Sequence, residues 1–157
     1  MRKFLSMMAI VALTLSMASC GDDENDEIVF QHEWEKQWVS TETGENVPTF
    51  YFDLRHPGTE SPVTLQHVQF KIGERVSPPM NIKIKAPLSK KGNIYTFSGT
   101  DLIPFMLVGD NEVPADKFIV TDYVATVNVK AETYSISFKC HGGEFNSSGK
   151  CTNTLSN

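Results

Sequence analysis

The chain predicts an all-β domain, an antiparallel barrel of about eight strands with a two-sheet β-sandwich as the alternative. Three observations carry this reading. Large and flat side chains are frequent, with 10 Phe, 4 Tyr and 2 Trp among 157 residues, and such residues suit a pleated, half-buried surface. Apolar and polar residues alternate over short runs, which is the period a strand imposes. Turn-forming residues break the pattern about every ten positions, the spacing of a small β fold.

The clearest strands are Met80–Ala86 and Thr133–Lys139. Met80, Ile82 and Ile84 oppose Asn81, Lys83 and Lys85 in the first; Tyr134, Ile136 and Phe138 oppose Thr133, Ser135 and Ser137 in the second. Thr49–Leu54 sets Phe50, Phe52 and Leu54 on one face, and Ile94–Ser98 does the same with Tyr95 and Phe97. Val63–Ile72 changes phase, with Val63 and Leu65 on one side and Val68, Phe70 and Ile72 on the other, so a β-bulge is expected near Gln66 or His67. Phe105–Val108, Phe118–Thr121 and Tyr123–Lys130 complete the set.

Lys90-Lys91-Gly92-Asn93 reads as a turn between two of these strands, and the short link through Lys130–Thr133 makes Tyr123–Cys140 a hairpin. Pro104 interrupts Asp101–Val108, and Pro114–Lys117 could start one turn at most, so only short helical or 3₁₀ pieces are expected there. The connections are short enough for an up-and-down strand order.

The N-terminus is read as an address. Arg2 and Lys3 precede an apolar run from Phe4 to about Leu15 that is too short to span a bilayer as a permanent helix. Met17, Ala18 and Ser19 before Cys20 resemble a lipobox, which implies cleavage before Cys20 and lipidation of that cysteine. A doubly acylated cysteine anchors stably, since each buried methylene contributes about 0.8 kcal/mol. Asp22, Asp23, Glu24, Asp26 and Glu27 follow with no base among them. This run resembles the export signal that routes Bacteroidetes lipoproteins to the outer face of the outer membrane. Residues 1–19 are thus read as signal peptide, 20–36 as lipidated cysteine and acidic tether, and 37–157 as one β domain. Acids and bases nearly balance in that last segment, twelve against eleven, which argues against a nucleic-acid partner.

Met80–Ile84 followed by Gly92-Asn93-Ile94-Tyr95-Thr96-Phe97-Ser98-Gly99, and later Ala125–Val129 with Tyr134–Phe138, resembles the calycin-like, lipocalin-related lipoproteins of Bacteroidetes. The resemblance spans roughly Val63–Lys139 and rests on strand order and turn texture. It implies an eight-stranded barrel with no established enzymatic role. Lipocalins carry Gly-x-Trp in their first strand, where this chain has His32 before Trp34 and Lys36 before Trp38.

Nothing in the chain predicts catalysis. His32, His56, His67 and His141 are scattered without zinc-site spacing, and neither a nucleophile elbow nor a phosphate-cradling loop occurs. No cofactor or metal is expected. Trp34, Trp38 and Tyr51 are the candidate ligand-binding residues: exposed, such rings stack on sugars or grip an apolar ligand; buried, they seal a barrel end. Tyr51 stands out because it lies on the polar face beside Asp53.

Cys140 and Cys151 are the only cysteines after Cys20. In an oxidising envelope an even pair is expected to form a disulfide, fastening a Gly- and Ser-rich tail to the last strand; a metal pair with His141 and two free thiols are the alternatives. Two function classes remain. One is a non-catalytic surface module binding a glycan, a peptide or a small apolar ligand; the other is an accessory lipoprotein contacting another envelope protein. A ligand cup predicts an internal cavity, and an accessory protein predicts a filled barrel with an apolar outer patch.

Overall fold

The computed structural model describes residues 27–154. Cys20, Asp22, Asp23, Glu24 and Asp26 lie outside the described residues. Twelve strands are described: β1 (Gln37–Ser40), β2 (Thr49–Asp53), β3 (Glu60–Val68), β4 (Lys71–Ile72), β5 (Arg75–Val76), β6 (Met80–Lys91), β7 (Ile94–Gly99), β8 (Phe105–Val108), β9 (Asn111–Pro114), β10 (Val120–Asn128), β11 (Thr133–Cys140) and β12 (Gly143–Asn153). Eight of them close an antiparallel barrel in the up-and-down order β1-β2-β3-β6-β7-β10-β11-β12, with β12 returning to β1 through Ser40↔Cys151 and Trp38↔Asn153. The fold is therefore the barrel and not the sandwich. The β8–β9 hairpin extends the sheet outside the barrel from β6, and β4–β5 forms a separate two-stranded ribbon.

Side-chain alternation decides what faces inward. Phe50, Phe52, Val63, Leu65, Ile82, Ile84, Phe97, Ala125, Val127, Tyr134, Ile136 and Phe138 are all buried. Aromatic rings tile the interior, with Phe50 and Phe52 at 5.4 and 5.6 Å from Tyr134, and Phe138 stacked on Phe145 at 5.0 Å. Ser40 is one of two buried polar residues among the described residues, and its Oγ accepts the Phe50 N–H at 2.9 Å. The interior is filled by side chains rather than shaped as a cup.

Two bulges explain the irregular sequence patterns. The β3–β6 register slips between Leu65 and Val68, where His67 sits at φ 59° and donates its N–H to Asn81 Oδ1 at 2.9 Å. This is the expected bulge, and it returns Val68 to the inner face; β3 ends there, and Lys71–Ile72 pairs with β5 instead of continuing the strand. A second slip between Thr121 and Val124, with Asp122 at φ 50°, joins the C-terminal half of Phe118–Thr121 to most of Tyr123–Lys130 in the single strand β10, Val120–Asn128, while Phe118 itself lies in a turn.

The segment between the two cysteines corrects the expectation of a disulfide-closed tail. His141 and Gly142, at φ 53° and 77°, form a two-residue hairpin turn with both residues in the left-handed region, the geometry that matches strand twist. Residues 143–150 then pair along the whole of β11, from Cys140↔Gly143 to Thr133↔Lys150. Cys151 therefore lies past the opposite end of β11 from Cys140, roughly 26 Å away at the rise of a strand. Disulfide bonding requires Cα atoms within about 7 Å. Both thiols are free and buried, and the same separation removes the metal pair with His141, whose ring instead packs edge-on against Phe118 at 4.8 Å.

Two further differences come from the chain ends and the insert. Among the described residues the helical piece is a 3₁₀ turn at Glu33–Lys36, while Phe105–Val108 and Asn111–Pro114 are strands and the Ala115–Phe118 stretch is a turn. Glu35 organises the 3₁₀ turn by accepting the Gln31 and His32 N–H groups at 2.8 and 3.2 Å. Residues 27–36, read as tether, lie against the barrel. The Phe30 ring packs on Trp38 and Tyr95, each at 6.4 Å, and so covers one barrel end.

Candidate functional site

With the interior filled, the outer wall is where a site can form. Strand registers place Val39, Tyr51, Thr64, Lys83, Phe105 and Pro114 in one lateral row across β1, β2, β3, β6, β8 and β9. Tyr51 is outward because its neighbours Phe50 and Phe52 are inward, and 39 % of it is exposed. The two rings of the row, Tyr51 and Phe105, are three strands apart, roughly 14 Å at the spacing between paired strands. A shallow groove of about 270 Å³ runs beside Tyr51, lined also by Gln37, Asp53, Arg55, Thr64 and Lys83.

Ion pairs fix both flanks of this groove. Arg55 grips Asp53 through two bonds, Nε to Oδ1 at 2.9 Å and Nη2 to Oδ2 at 2.7 Å, and its backbone N–H adds a third at 3.1 Å. Partial burial pushes the Asp53 carboxyl upward, but the Arg55 hydrogen bonds and charge outweigh it and the net shift is downward. Arg55 is correspondingly raised by Asp53. On the other flank Glu112 of β9 bridges Lys83 at 2.5 Å and Lys85 at 3.0 Å, and both ammonium groups hold its carboxyl below the usual range. The Lys85 ammonium also sits 4.5 Å from the Phe105 ring centroid, a cation–π contact.

The three aromatic candidates separate. Tyr51 presents its ring to solvent beside the groove. Trp38 faces the interior at 5 % exposure, donates its indole N–H to the Glu35 carbonyl at 3.1 Å, and meets the groove only from beneath. Trp34 stands away from both, stacked flat on His32 at 5.1 Å and 12°. Sequence reading missed Arg55, Lys83 and Glu112, because lateral neighbours across strands depend on register. The one available signal was the alternation in β6, which put Lys83 and Lys85 on the polar face.

Chemically, the groove offers an apolar ring, a hydroxyl, an amide and tightly paired charges. Both carboxylates are held by cations, so neither is poised for proton transfer near neutral pH. Among the described residues no group of three or more His, Cys, Asp or Glu side chains could hold a metal ion. Compared with protein-family models, with curated proteins and with solved structures, the chain matches none.

Proposed function

We propose that the mature chain is a calycin-like outer-membrane lipoprotein, anchored through Cys20 and displayed on the cell surface. It acts by binding and not by catalysis, and it holds a glycan against its outer wall. The observation that carries the reading is Tyr51: a half-exposed ring on a polar strand face, beside a groove with fixed hydrogen-bonding groups, on a barrel whose interior is full. Sugar rings present one apolar face and a rim of hydroxyls, which a flat aromatic ring and paired polar side chains complement. The groove is smaller than the roughly 300–1,000 Å³ of pockets that enclose drug-sized ligands, so it suits a segment of a longer chain.

Native gel electrophoresis through matrices containing individual soluble polysaccharides tests this. At least one polysaccharide should retard the protein, and Tyr51→Ala should abolish the retardation while Trp34→Ala leaves it. Equal retardation of the Tyr51→Ala protein would exclude the groove. A second reading has its own observation, since Val108 and Val113 are exposed on the β8–β9 hairpin outside the barrel. Contact with another envelope protein there predicts site-specific crosslinks from Val108 in intact cells.

A further inference from the structure

The up-and-down order sorts the connections between two barrel ends. At one end lie the links Leu54–Thr59, Gly92–Asn93 and Val129–Glu132; at the other lie the longer stretches Thr41–Pro48, Gln69–Pro79 and Thr100–Ile119. The N-terminal approach reaches the short-link end. The Ile28 N–H donates to Asn93 Oδ1 at 2.7 Å in the β6–β7 turn, Glu27 pairs with Lys90, and Phe30 caps Trp38 and Tyr95.

That same end carries exposed apolar surface. Val29 is 78 % exposed, Trp34 48 % and Ile94 44 %. Beside Ile94, the exposed Lys91 lines a broad, shallow concavity of about 560 Å³ together with Gly92, Asn93 and Asn128. The exposed residues differ in element: Val29 is in the extended approach, Trp34 in the 3₁₀ turn and Ile94 at the start of β7. They share only the end of the barrel on which they sit.

We infer that this end rests on the lipid headgroup interface, with Trp34, Val29 and Ile94 as its contacts, and that the long-loop end points away from the membrane. The inference rests on the lipid anchor at Cys20. Glu27 is the seventh residue after Cys20, a span that covalent geometry limits to about 25 Å. A tether that short keeps the end it enters within that span of the bilayer. Indole rings favour the boundary between headgroups and acyl chains, where the apolar body and the N–H are both accommodated. Lysine stems reach headgroup phosphates while keeping their charge in water.

The test uses the full lipidated protein reconstituted in phosphatidylethanolamine–phosphatidylglycerol vesicles with acyl chains brominated near the headgroup. Flotation reports the anchor and tryptophan emission reports the contact. The wild type should float and lose part of its emission to bromine, and the Trp34→Phe protein should float without that loss, since its remaining indole, Trp38, is buried. Wild-type protein that floats but is quenched no more than Trp34→Phe overturns the orientation while leaving the anchor intact. Wild-type protein that does not float overturns the anchor, and the orientation with it.

Discussion

Tyr123 is fully buried, its ring 6.1 Å from Phe138, and its hydroxyl is the one buried side-chain polar atom among the described residues with no hydrogen-bond partner. Taking a hydroxyl out of water without compensation costs on the order of 1–3 kcal/mol by protein mutational data. Tyr123→Phe removes that cost and keeps the ring. The void left by one oxygen is small, and a cavity costs about 24 cal/mol per Å³, so it offsets only a fraction of the gain. The expected result is a domain more stable by about 1 kcal/mol, which for a domain of this size raises the melting temperature by about 3–6 °C. Urea unfolding of the purified protein followed by far-UV circular dichroism measures it, with an unchanged m-value showing that the unfolded state is not the cause. Burial also holds the Tyr123 phenol far above its ordinary titration range, so the phenolate absorbance of this residue should appear only with unfolding. A Phe variant less stable than wild type by 1 kcal/mol would refute the reasoning and show that the hydroxyl has a partner.

The free thiols predict that reducing agent leaves the melting temperature unchanged, and that unreduced, denatured protein takes up one alkyl group at each of Cys140 and Cys151; mass spectrometry reads this directly. In the native state neither should react near neutral pH, because burial raises both thiols, Cys151 to about 12 with the nearby Glu132 adding to the effect. A Cβ at Gly143 would stand 2.4 Å from the Lys71 carbonyl oxygen, a backbone atom, whereas at Gly149 the closest atom is the mobile Glu42 carboxylate. Gly143→Ala should therefore cost about 1–3 kcal/mol and Gly149→Ala clearly less; equal losses in denaturant titrations would contradict this. Asp53 has a depressed folded-state pKa, so its contribution to stability is present above the ordinary carboxylate pKa and is lost as pH falls through the folded value. Asp53→Asn should flatten the acid limb of the stability profile, by a modest amount because the pair is partly solvated.

How much of this was legible depends on where the apolar residues stand. β6 and β11 announce themselves, since Ile82, Ile84 and Ala86, and Tyr134, Ile136 and Phe138, are all inward and all apolar. β12 does not, because its inward positions are Phe145, Ser147, Gly149 and Cys151. The physical reason lies on neighbouring strands. The Tyr134 hydroxyl on the adjacent strand hydrogen-bonds with Ser147 Oγ at 3.3 Å, and its ring comes within 3.3 Å of where a Gly149 Cβ would stand. Large rings on β11 and β2 leave room only for small residues at 147 and 149 of β12, so beyond Phe145 the strand loses the alternation that identifies one. The same small residues read as a flexible tail, and an even cysteine count then reads as a staple. Register, which the count ignores, places the two cysteines at opposite ends of a strand.

The site was legible in part for a related reason. Tyr51 could be found because it breaks the pattern of its own strand, an aromatic ring on the polar face between two buried phenylalanines. Its neighbours could not, since Lys83 lies two strands away and Glu112 belongs to a four-residue edge strand with no apolar face of its own.

The filled interior has a consequence for what the barrel can hold. A small apolar ligand could enter only by displacing Phe50, Phe52, Phe97 or Tyr134, which pack ring to ring across the mid-section at 5.4 to 6.4 Å. Losing the packing of one such ring costs about 3–5 kcal/mol, the measured range for a buried Phe replaced by Ala. That is a large share of the 5–15 kcal/mol by which a domain of this kind is stable. A ligand admitted at that cost would have to recover it from contacts that the phenylalanines already make with each other. The outer wall carries no such penalty: its row from Tyr51 to Phe105 is preformed by strand register and braced by the Asp53–Arg55 and Glu112–lysine pairs. Binding there would leave the core intact, and this asymmetry supports the proposal that the wall, with the interior as scaffold, carries recognition.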